Sequence, residues 1–421
     1  MILKLLVVNH TTLDKMSYAS SLFNNVLPIL RKNEKMNIFW FLSTNEKITE
    51  ENKNELTIIK IDQFKNAIEV LQNVKPELVY LLAGYSIVDY SFLIACKHLN
   101  IPTIGGELNS ANFQTDNNKK FLINYFFDFF KNDPNEVDSK KMSKGFQYLK
   151  KHLFLLRTKK AMGVSFLENM KDFFEFMKHL FQHPKNNDIE IAHPKFQCDL
   201  NFVESPSLCE KLIKAGWDKT KLTAVGNPSY DEIIKNSLEI KNQNDLDINK
   251  NKILFLTMNF IGANRKKTLE QISILLKEIK KNDKLEITIK IHPNQESISE
   301  YSHIIKELNL DVKILQKEKI SDIIHDYDTV ISFTSSTASL IAVLNYKPVI
   351  IWNIFDVVED ILVKWKLAVE CKNISKVIDA VEKVKSMDLS KNIQRFKKDY
   401  LYNTHGNSAQ RIADAILALK K

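Results

Sequence analysis

Glycine is scarce in this chain, which has only nine glycines among 421 residues. That is roughly a third of the average usage of about 7%. A glycine present in such a background more often meets a backbone requirement, either a positive φ or the close approach of another group. We expect such requirements at the glycines that lie at predicted strand or helix ends: Gly84, Gly105, Gly106, Gly226 and Gly406.

Cysteine is also rare, and the spacing of the four cysteines matches neither a zinc site nor a redox pair. A chain of this length needs no disulfide bonds to hold its core together. We therefore predict no metal site and expect buried free thiols at Cys96, Cys198, Cys209 and Cys371.

No hydrophobic run approaches the roughly 20 residues of a membrane-spanning helix. The opening MILKLLVVNHTT is too short and too soon polar for a signal peptide, so we expect a cytoplasmic protein. The sequence contains no Walker, G-x-G-x-x-G, G-x-S-x-G or H-E-x-x-H motif, which argues against an NTPase, a dehydrogenase, a hydrolase and a zinc enzyme.

The net charge is +9. Such an excess suits an anionic partner, such as nucleic acid, a membrane surface or a phosphorylated substrate. The lysines are scattered through a chain rich in Asn and Ile, so we favour an ordinary solvated surface and predict no nucleic acid partner. A non-catalytic binding protein with a basic surface stays as an alternative.

Short apolar runs alternate with helical patterns over most of 1–110 and 196–421. Continuous apolar strands of this kind indicate βαβ units and a parallel sheet covered on both faces. The length exceeds that of one hydrophobic core, and SFLIACKHLNIPTIGG and ASLIAVLNYKPVIIWN share one pattern. We therefore predict an α/β fold with two Rossmann-like domains facing a cleft, over 1–235 and 250–395.

Residues 116–195 differ from the rest, because they are rich in Lys and Phe at helical spacing with no strand between them. We interpret them as a helical insertion in the N-terminal domain. The aromatic stripes suit a core of its own and contact with the parent domain. They equally suit a surface that lies on the cytoplasmic face of the inner membrane or holds a lipid-linked acceptor, and both interpretations stay open.

His292 and Pro293 follow the predicted strand ITIKI. In an open parallel sheet, ligands bind beyond the carboxyl ends of the strands. Pro293 restricts its own φ and biases His292 towards extended backbone, which holds the imidazole at the strand end. Such a histidine can bind a diphosphate or stabilise a departing phosphate. A structural or surface role is the alternative.

Four consecutive Ser and Thr residues follow the predicted strand TVISF, at the start of a helix. Unpaired N–H groups at a helix N-terminus, together with hydroxyl donors, suit a phosphate or a diphosphate. Ordinary N-capping is the alternative, although a cap needs only one hydroxyl. We therefore predict that the C-terminal domain binds a nucleotide through Thr334, Ser335, Ser336 and Thr337.

The strand ends of the N-terminal domain carry the candidate general bases. A base that deprotonates an acceptor hydroxyl is a carboxylate or a histidine. The candidates are Glu107, Asp14 and His10, and for each of them a loop or capping role is the alternative.

These features resemble the GT-B glycosyltransferases, through K-x-H-P at 290–293 and S-S-T-A at 335–338. The nearest in pattern are bacterial capsule and teichoic-acid type enzymes: polysialyltransferases, Kdo transferases and CDP-glycerol glycerophosphotransferases. LTAVGNPSYDEI (222–233) is similar to a segment of this group and of the related UDP-GlcNAc 2-epimerases. Residues 396–421 resemble a C-terminal helix that packs back on the first domain.

The resemblance implies a metal-independent glycosyltransferase without a cofactor. It would move a sugar from a nucleotide-activated donor, cytidine slightly favoured over uridine, to a cell-surface glycan or glycolipid. The donor phosphates would contact His292, Pro293, Ser335 and Ser336, and His292 would stabilise the leaving group. A UDP-GlcNAc 2-epimerase is the alternative.

The sequence departs from this family pattern at two places. The acidic pair before glycine is replaced by Gly105-Gly106-Glu107, in reverse order. The Glu that often holds a ribose is missing from TASLIAVLNYKP, which follows the hydroxyl run.

Overall fold

A computed structural model divides the chain into two compact units. The first comprises Met1–Ser229, Leu401–Asn403 and Asn407–Lys421, and the second comprises Tyr230–Tyr400 and Thr404–Gly406. The structure describes residues 2–9, 25–43, 56–81, 87–108, 144–165, 167–171, 194–239, 251–258, 263–293, 296–354, 360–373, 376–385 and 387–419.

The first unit contains a seven-stranded sheet in the order β3-β2-β1-β4-β5-β6-β7. All of its neighbouring strands are parallel, and Leu5 of β1 lies between Ile38 of β2 and Leu78 of β4. The strands are β1 Leu3–Asn9, β2 Met36–Leu42, β3 Thr57–Lys60, β4 Leu78–Leu81, β5 Thr103–Leu108, β6 Leu200–Val203 and β7 Leu222–Ala224.

The second unit contains a six-stranded parallel sheet in the order β10-β9-β8-β11-β12-β13. Its strands are β8 Asn251–Leu256, β9 Leu285–Lys290, β10 Lys313–Leu315, β11 Thr329–Ser332, β12 Val349–Trp352 and β13 Ala368–Cys371. The predicted α/β fold with two Rossmann-like domains is confirmed.

Helices cover the faces of both sheets, as the alternating pattern predicts. They are α1 Leu27–Asn33, α2 Ala67–Val74, α3 Ile87–Leu99, α4 Lys144–Ala161, α5 Pro206–Lys214, α6 Asp231–Glu239, α7 Ala263–Lys280, α8 Ile298–Glu307, α9 Ile320–Ile323, α10 Thr337–Leu344, α11 Ile361–Lys364, α12 Val377–Lys385, α13 Leu389–Asp399 and α14 Ser408–Leu419.

One long helix, α4, lies within the predicted helical insertion at 116–195, much of which falls outside the described residues. Its Phe154 is buried and packs against Phe41 of β2 and Phe92 of α3. This aromatic side chain therefore belongs to the core of the first unit. The insertion as a whole stays a prediction.

Helix α14, at the C-terminal end of the chain, packs in the first unit. Ile412 and Ile416 of α14 share a core with Leu27 and Leu30 of α1. These apolar residues recur at helical spacing, so one face of α14 is covered.

Gly226 lies where the segment 222–233 meets the start of α14. Its φ is +81°, a conformation that glycine adopts without strain. A side chain at this position would also collide with the Ser408 hydroxyl. The glycine therefore meets both of the backbone requirements expected from its scarcity.

Three of the four cysteines, Cys96, Cys198 and Cys371, are buried free thiols, whereas Cys209 is half-buried. Among the described residues, the structure contains no helix with the length and hydropathy of a membrane span.

Candidate functional site

The carboxyl edge of the second unit's sheet brings the two predicted motifs to the same side. His292 follows β9, and the hydroxyl run follows β11, while β8 lies between these two strands. Neighbouring strands are about 4.8 Å apart, so the ends of β9 and β11 are roughly 10 Å apart. The strand order reverses between β8 and β11, and ligands of open α/β sheets bind at such a point.

A buried carboxylate, Glu296, holds the backbone at His292. The His292 N–H donates to Glu296 Oε2 at 2.7 Å. The Thr257 hydroxyl, just beyond β8, donates to the same oxygen. Glu296 thereby connects the ends of two neighbouring strands on one side of the reversal point.

Arg265 and Tyr301 complete the set of donors around Glu296. The Arg265 guanidinium donates to Glu296 Oε1 at 2.7 Å, and the Tyr301 hydroxyl donates to the same oxygen. Burial alone would raise the pKa of Glu296, but the hydrogen bonds from His292, Thr257, Tyr301 and Arg265 outweigh it and lower this pKa. Glu296 is therefore an ionised, positioning carboxylate.

The Arg265 guanidinium also contacts two further side chains. Its second terminal nitrogen donates to Glu300 at 2.7 Å, and its guanidinium lies over the Tyr301 ring, 5.3 Å from the centroid. Although burial would lower the pKa of Arg265, the hydrogen bonds that it donates to Glu300 and Tyr301 raise it. Arg265 supports the site through Glu296.

Lys290, the last residue of β9, directs its ammonium group to backbone carbonyls. It donates to the Gln316 carbonyl at 2.7 Å and to the Ile291 carbonyl at 3.2 Å. Burial lowers the pKa of this lysine. The Lys290 side chain therefore fixes the neighbouring loops.

Two of the four hydroxyl residues contact Asp360 at the start of α11. The Thr334 hydroxyl donates to Asp360 Oδ2 at 3.1 Å, and the Ser335 N–H donates to the same oxygen at 2.6 Å. The Ser335 hydroxyl donates to Asp360 Oδ1. Thus a carboxylate, rather than a phosphate, receives the donors of Thr334 and Ser335 in this structure.

Ser336 is the N-cap of α10. Its hydroxyl oxygen accepts the Ser339 N–H at 3.2 Å, while its own N–H donates to the Ser339 hydroxyl at 2.7 Å. The capping alternative is therefore observed at Ser336. The Ser336 hydroxyl also lies 3.3 Å from the Ser339 hydroxyl, and either oxygen can be the donor of that contact.

Thr337, the first residue of α10, is exposed. The N–H groups of Thr337 and Ala338 have no partner within the helix, as at every helix start. Unlike Thr334 and Ser335, neither Ser336 nor Thr337 donates to Asp360 among the described contacts.

The structure locates only Glu107 among the three candidate bases. β5 continues through Glu107 to Leu108, where the sequence pattern suggests a turn. The pairing of β5 with β6 shifts register between Gly105 and Leu108, and Glu107 lies within this irregular stretch of the strand. His10 and Asp14 lie outside the described residues.

Gly105 precedes this register shift, and a methyl group added there would lie 2.5 Å from the Asn201 side-chain oxygen. Asn201 is buried and donates to the Cys198 and Lys221 carbonyls. The close approach explains glycine at this strand position.

Sequence reasoning missed the residues that hold the motifs in place: Glu296, Thr257, Arg265 and Asp360. Glu296 lies four residues after His292, in a polar loop where no apolar periodicity marks it. Asp360 is 26 residues from Thr334, so no local pattern links them. Among the described residues, no three His, Cys, Asp or Glu side chains cluster as metal ligands would.

Comparison with known families finds one matching model, described as UDP-N-acetylglucosamine 2-epimerase. It matches residues 196–417, more than half of the chain. The matched region contains the described strands of the second unit, both motifs and all but the last two residues of α14. No curated protein matches the chain.

Solved structures with the same fold include both epimerases and a glycosyltransferase. The UDP-GlcNAc 2-epimerase from Methanocaldococcus jannaschii is 14% identical, with a TM-score of 0.56, covering 99% of this chain and 100% of that one. The Neisseria meningitidis enzyme bound to UDP-GlcNAc is 14% identical, with a TM-score of 0.52 and coverage of 99% and 100%. The calicheamicin glycosyltransferase CalG4 is 12% identical, with a TM-score of 0.54 and coverage of 99% and 98%. At these identities, the likeness concerns the fold alone.

Proposed function

Since the chain belongs to the UDP-N-acetylglucosamine 2-epimerase family, we propose that it is an enzyme acting on a nucleoside-diphosphate sugar, with transfer of the sugar to an acceptor hydroxyl as the reaction. The observation that carries this proposal is the arrangement at the carboxyl edge of the second unit. There, His292 and the start of α10 lie on the two sides of β8.

The diphosphate would bind to hydrogen-bond donors on both sides of the strand reversal. Ser336, Thr337 and the free N–H groups of α10 would contact one phosphate, where the partial positive charge of the helix favours an anion. The imidazole of His292 would donate to the other phosphate. Donors already fixed in place stabilise the negative charge that develops on the leaving diphosphate as its bond to the sugar breaks.

The uridine nucleotide is our first choice for the donor. The resemblance in the sequence slightly favours cytidine, through the capsule and teichoic-acid enzymes. The family description and the neisserial structure bound to UDP-GlcNAc favour uridine instead. We therefore propose a UDP-sugar first and a cytidine-activated sugar second.

The state of the two buried carboxylates favours transfer over epimerisation. Inversion at carbon 2 of a sugar requires groups that remove a proton and return one on the opposite face. Glu296 accepts four hydrogen bonds, and Asp360 accepts four from Thr334, Ser335 and Leu362. Neither carboxylate is therefore free for acid–base chemistry. Transfer then requires one base from elsewhere in the chain, whereas inversion at carbon 2 requires two such groups.

A UDP-GlcNAc 2-epimerase is the second candidate function. The family match over 196–417 favours it. Glu107, His10 and Asp14 remain the predicted candidates for a base in either reaction. We further propose that neither reaction requires a bound metal ion.

Two experiments test these functions in sequence. Thermal-shift measurements with UDP, CDP, CMP, GDP and TDP come first, because a ligand that binds only the folded state raises the Tm. We expect the largest rise with UDP. The absence of any rise would contradict a nucleotide-sugar enzyme of either type.

The second experiment follows UDP-GlcNAc by NMR with and without a mixture of glycan acceptors. A transferase releases UDP only when an acceptor is present and forms a new glycosidic bond. An epimerase changes the configuration at carbon 2 without an acceptor. The latter result would exclude transfer as the main reaction and establish the second candidate.

A further inference from the structure

The outward side of α4 carries leucines, where a surface helix usually carries polar residues. Leu149, Leu153 and Leu156 are 51%, 40% and 48% exposed. Their i, i+4, i+7 spacing places them in one stripe along the helix. Phe154 and Thr158, on the opposite side, are buried in the first unit. The leucine stripe is thus a second apolar face, in addition to the face that packs on the core.

Cations border this stripe. The sequence of α4 contains six Lys or Arg residues and no Asp or Glu. Arg157 and Lys160 are exposed beside the stripe, and neither forms an ion pair within the described part of the chain. Helices that lie in the interface of an anionic membrane combine an apolar face with flanking Lys and Arg in this way.

A cavity of about 440 Å³ adjoins the same helix. Phe64 and Phe154 provide its aromatic lining, while Lys65 and Arg157 provide its cations. It lies between α4, the segment after β3 and the first turns of α2. A volume of a few hundred Å³ holds a small ligand or the head group of a larger one.

The acidic residues of this cavity are already engaged. Asp62 forms an ion pair with Lys150 of α4. Glu69 accepts the backbone N–H of Lys65 at 2.8 Å. The cations that line this cavity still outnumber its carboxylates, three (Lys65, Lys150, Arg157) to two. Within the described part of the chain, neither the Lys65 ammonium nor the Arg157 guanidinium forms an ion pair, and both groups suit a phosphate.

We propose that α4 docks the protein on an anionic lipid surface. In this arrangement the leucine stripe enters the head-group region, and the cavity receives a lipid phosphate between Lys65 and Arg157. Apolar burial and attraction to anionic lipids act together on such a helix. The proposal is independent of the nucleotide reaction.

A second copy of the chain fits this surface less well. Pairing of two α4 helices through their leucines would bring Arg157 and Lys160 of each copy towards the same cations of the other. Like charges at a self-complementary interface repel each other. An anionic lipid surface instead attracts both residues.

Co-sedimentation with lipid vesicles tests the proposal. We expect the full chain to sediment with vesicles of phosphatidylcholine and phosphatidylglycerol, and much less with phosphatidylcholine alone. Higher salt should weaken this binding, because it screens the charges. Arg157→Glu should weaken it roughly fivefold or more, since each surface cation contributes about 1 kcal/mol. The double variant Leu153→Glu, Leu156→Glu should abolish it.

Helix α7 of the second unit offers matched controls. Ile274→Glu and Lys277→Glu change an exposed aliphatic side chain and an exposed cation there, and both variants should sediment like the unaltered chain. The Tm of each variant establishes that it is folded. Equal vesicle binding by a folded Leu153→Glu, Leu156→Glu variant would overturn the proposal.

Two further outcomes would also overturn it. The unaltered chain could fail to sediment with anionic vesicles. Alternatively, glycerol 3-phosphate could raise the Tm while vesicles bind nothing, which would identify the cavity as a site for a free phosphate compound. Failure of nucleotide binding in a chain that still sediments with vesicles would count only against the proposed function.

Discussion

The backbone N–H of His292 donates to the carboxylate of Glu296 at 2.7 Å, across the turn that contains Pro293. The same carboxylate oxygen accepts the hydroxyl of Thr257 at the end of β8. Glu296 therefore sets the position of His292 relative to the strand at which the sheet order reverses.

Replacement of Glu296 by glutamine removes the charge but nearly keeps the shape. Glu296→Gln leaves the buried donors of Arg265 and Tyr301 poorly paired, so we expect the free energy of unfolding to fall by about 2 kcal/mol. Chemical denaturation measures this change. Glu300→Gln is the matched control, because Glu300 is more exposed and contacts the same arginine. An equal loss in both variants would contradict a special role for Glu296.

We also expect Glu296 to make the free energy of unfolding depend on pH. Its pKa is lowered in the folded chain from an ordinary value of 4.5. The stabilisation is therefore complete above about pH 4.5, and it is lost as the pH falls through the lower pKa of the folded state. Unfolding free energies measured across this acidic range should decline less steeply in Glu296→Gln than in the unaltered chain. Parallel curves would show that other carboxylates cause the decline.

Loss of the His292 side chain should abolish nucleotide binding but preserve the fold. His292→Ala removes the imidazole, whereas its backbone contact to Glu296 remains available. We expect the nucleotide-induced rise in Tm to disappear. His303→Ala, an exposed histidine of α8 paired with Glu307, should retain it. A normal rise in His292→Ala would show that the nucleotide binds elsewhere.

The two hydroxyls proposed to contact a phosphate should differ in their effect on stability, because Ser336 also caps α10 and Thr337 does not. Ser336→Ala removes the N-cap of α10, which costs about 1 kcal/mol of stability. Thr337→Val removes an exposed hydroxyl that caps nothing, so the Tm should change little while the affinity for UDP falls. Tm measurements combined with UDP titrations compare the two variants. Unchanged UDP affinity in Thr337→Val would exclude this hydroxyl from the phosphate site.

Gly226 and Gly163 have similar backbone conformations and different surroundings. Their φ angles are +81° and +78°, but only Gly226 has neighbours within 4 Å, among them the Ser408 hydroxyl. Gly163→Ala therefore costs only the backbone strain, about 1 kcal/mol. Gly226→Ala adds a steric clash, and we expect it to cost at least about 2 kcal/mol. Denaturation of both variants gives the difference, and equal losses would exclude the clash.

The fold was largely readable from the sequence, because its signals are local. Continuous apolar runs such as LKLLVV predicted strands buried on both faces, and β1 pairs with a parallel strand on each side. The proline after His292 marked the end of β9, and the hydroxyl residues marked the start of α10. These signals are also local. Each of these patterns depends on residues a few positions apart.

The contacts within the candidate site depend instead on which strands become neighbours. Asp360 takes the donors of Thr334 and Ser335, although 26 and 25 residues separate them. No periodicity encodes that distance, so the sequence predicted four hydroxyls open to phosphate, whereas the structure commits two of them to a carboxylate.

The sequence by itself determined the two parallel-sheet units and the placement of His292 and the hydroxyl run at strand ends, since backbone preference and apolar spacing act over short distances. Only the tertiary structure decided which polar groups remain available. A buried donor or acceptor must find a partner, and that partner is chosen by the strand order that brings distant loops together.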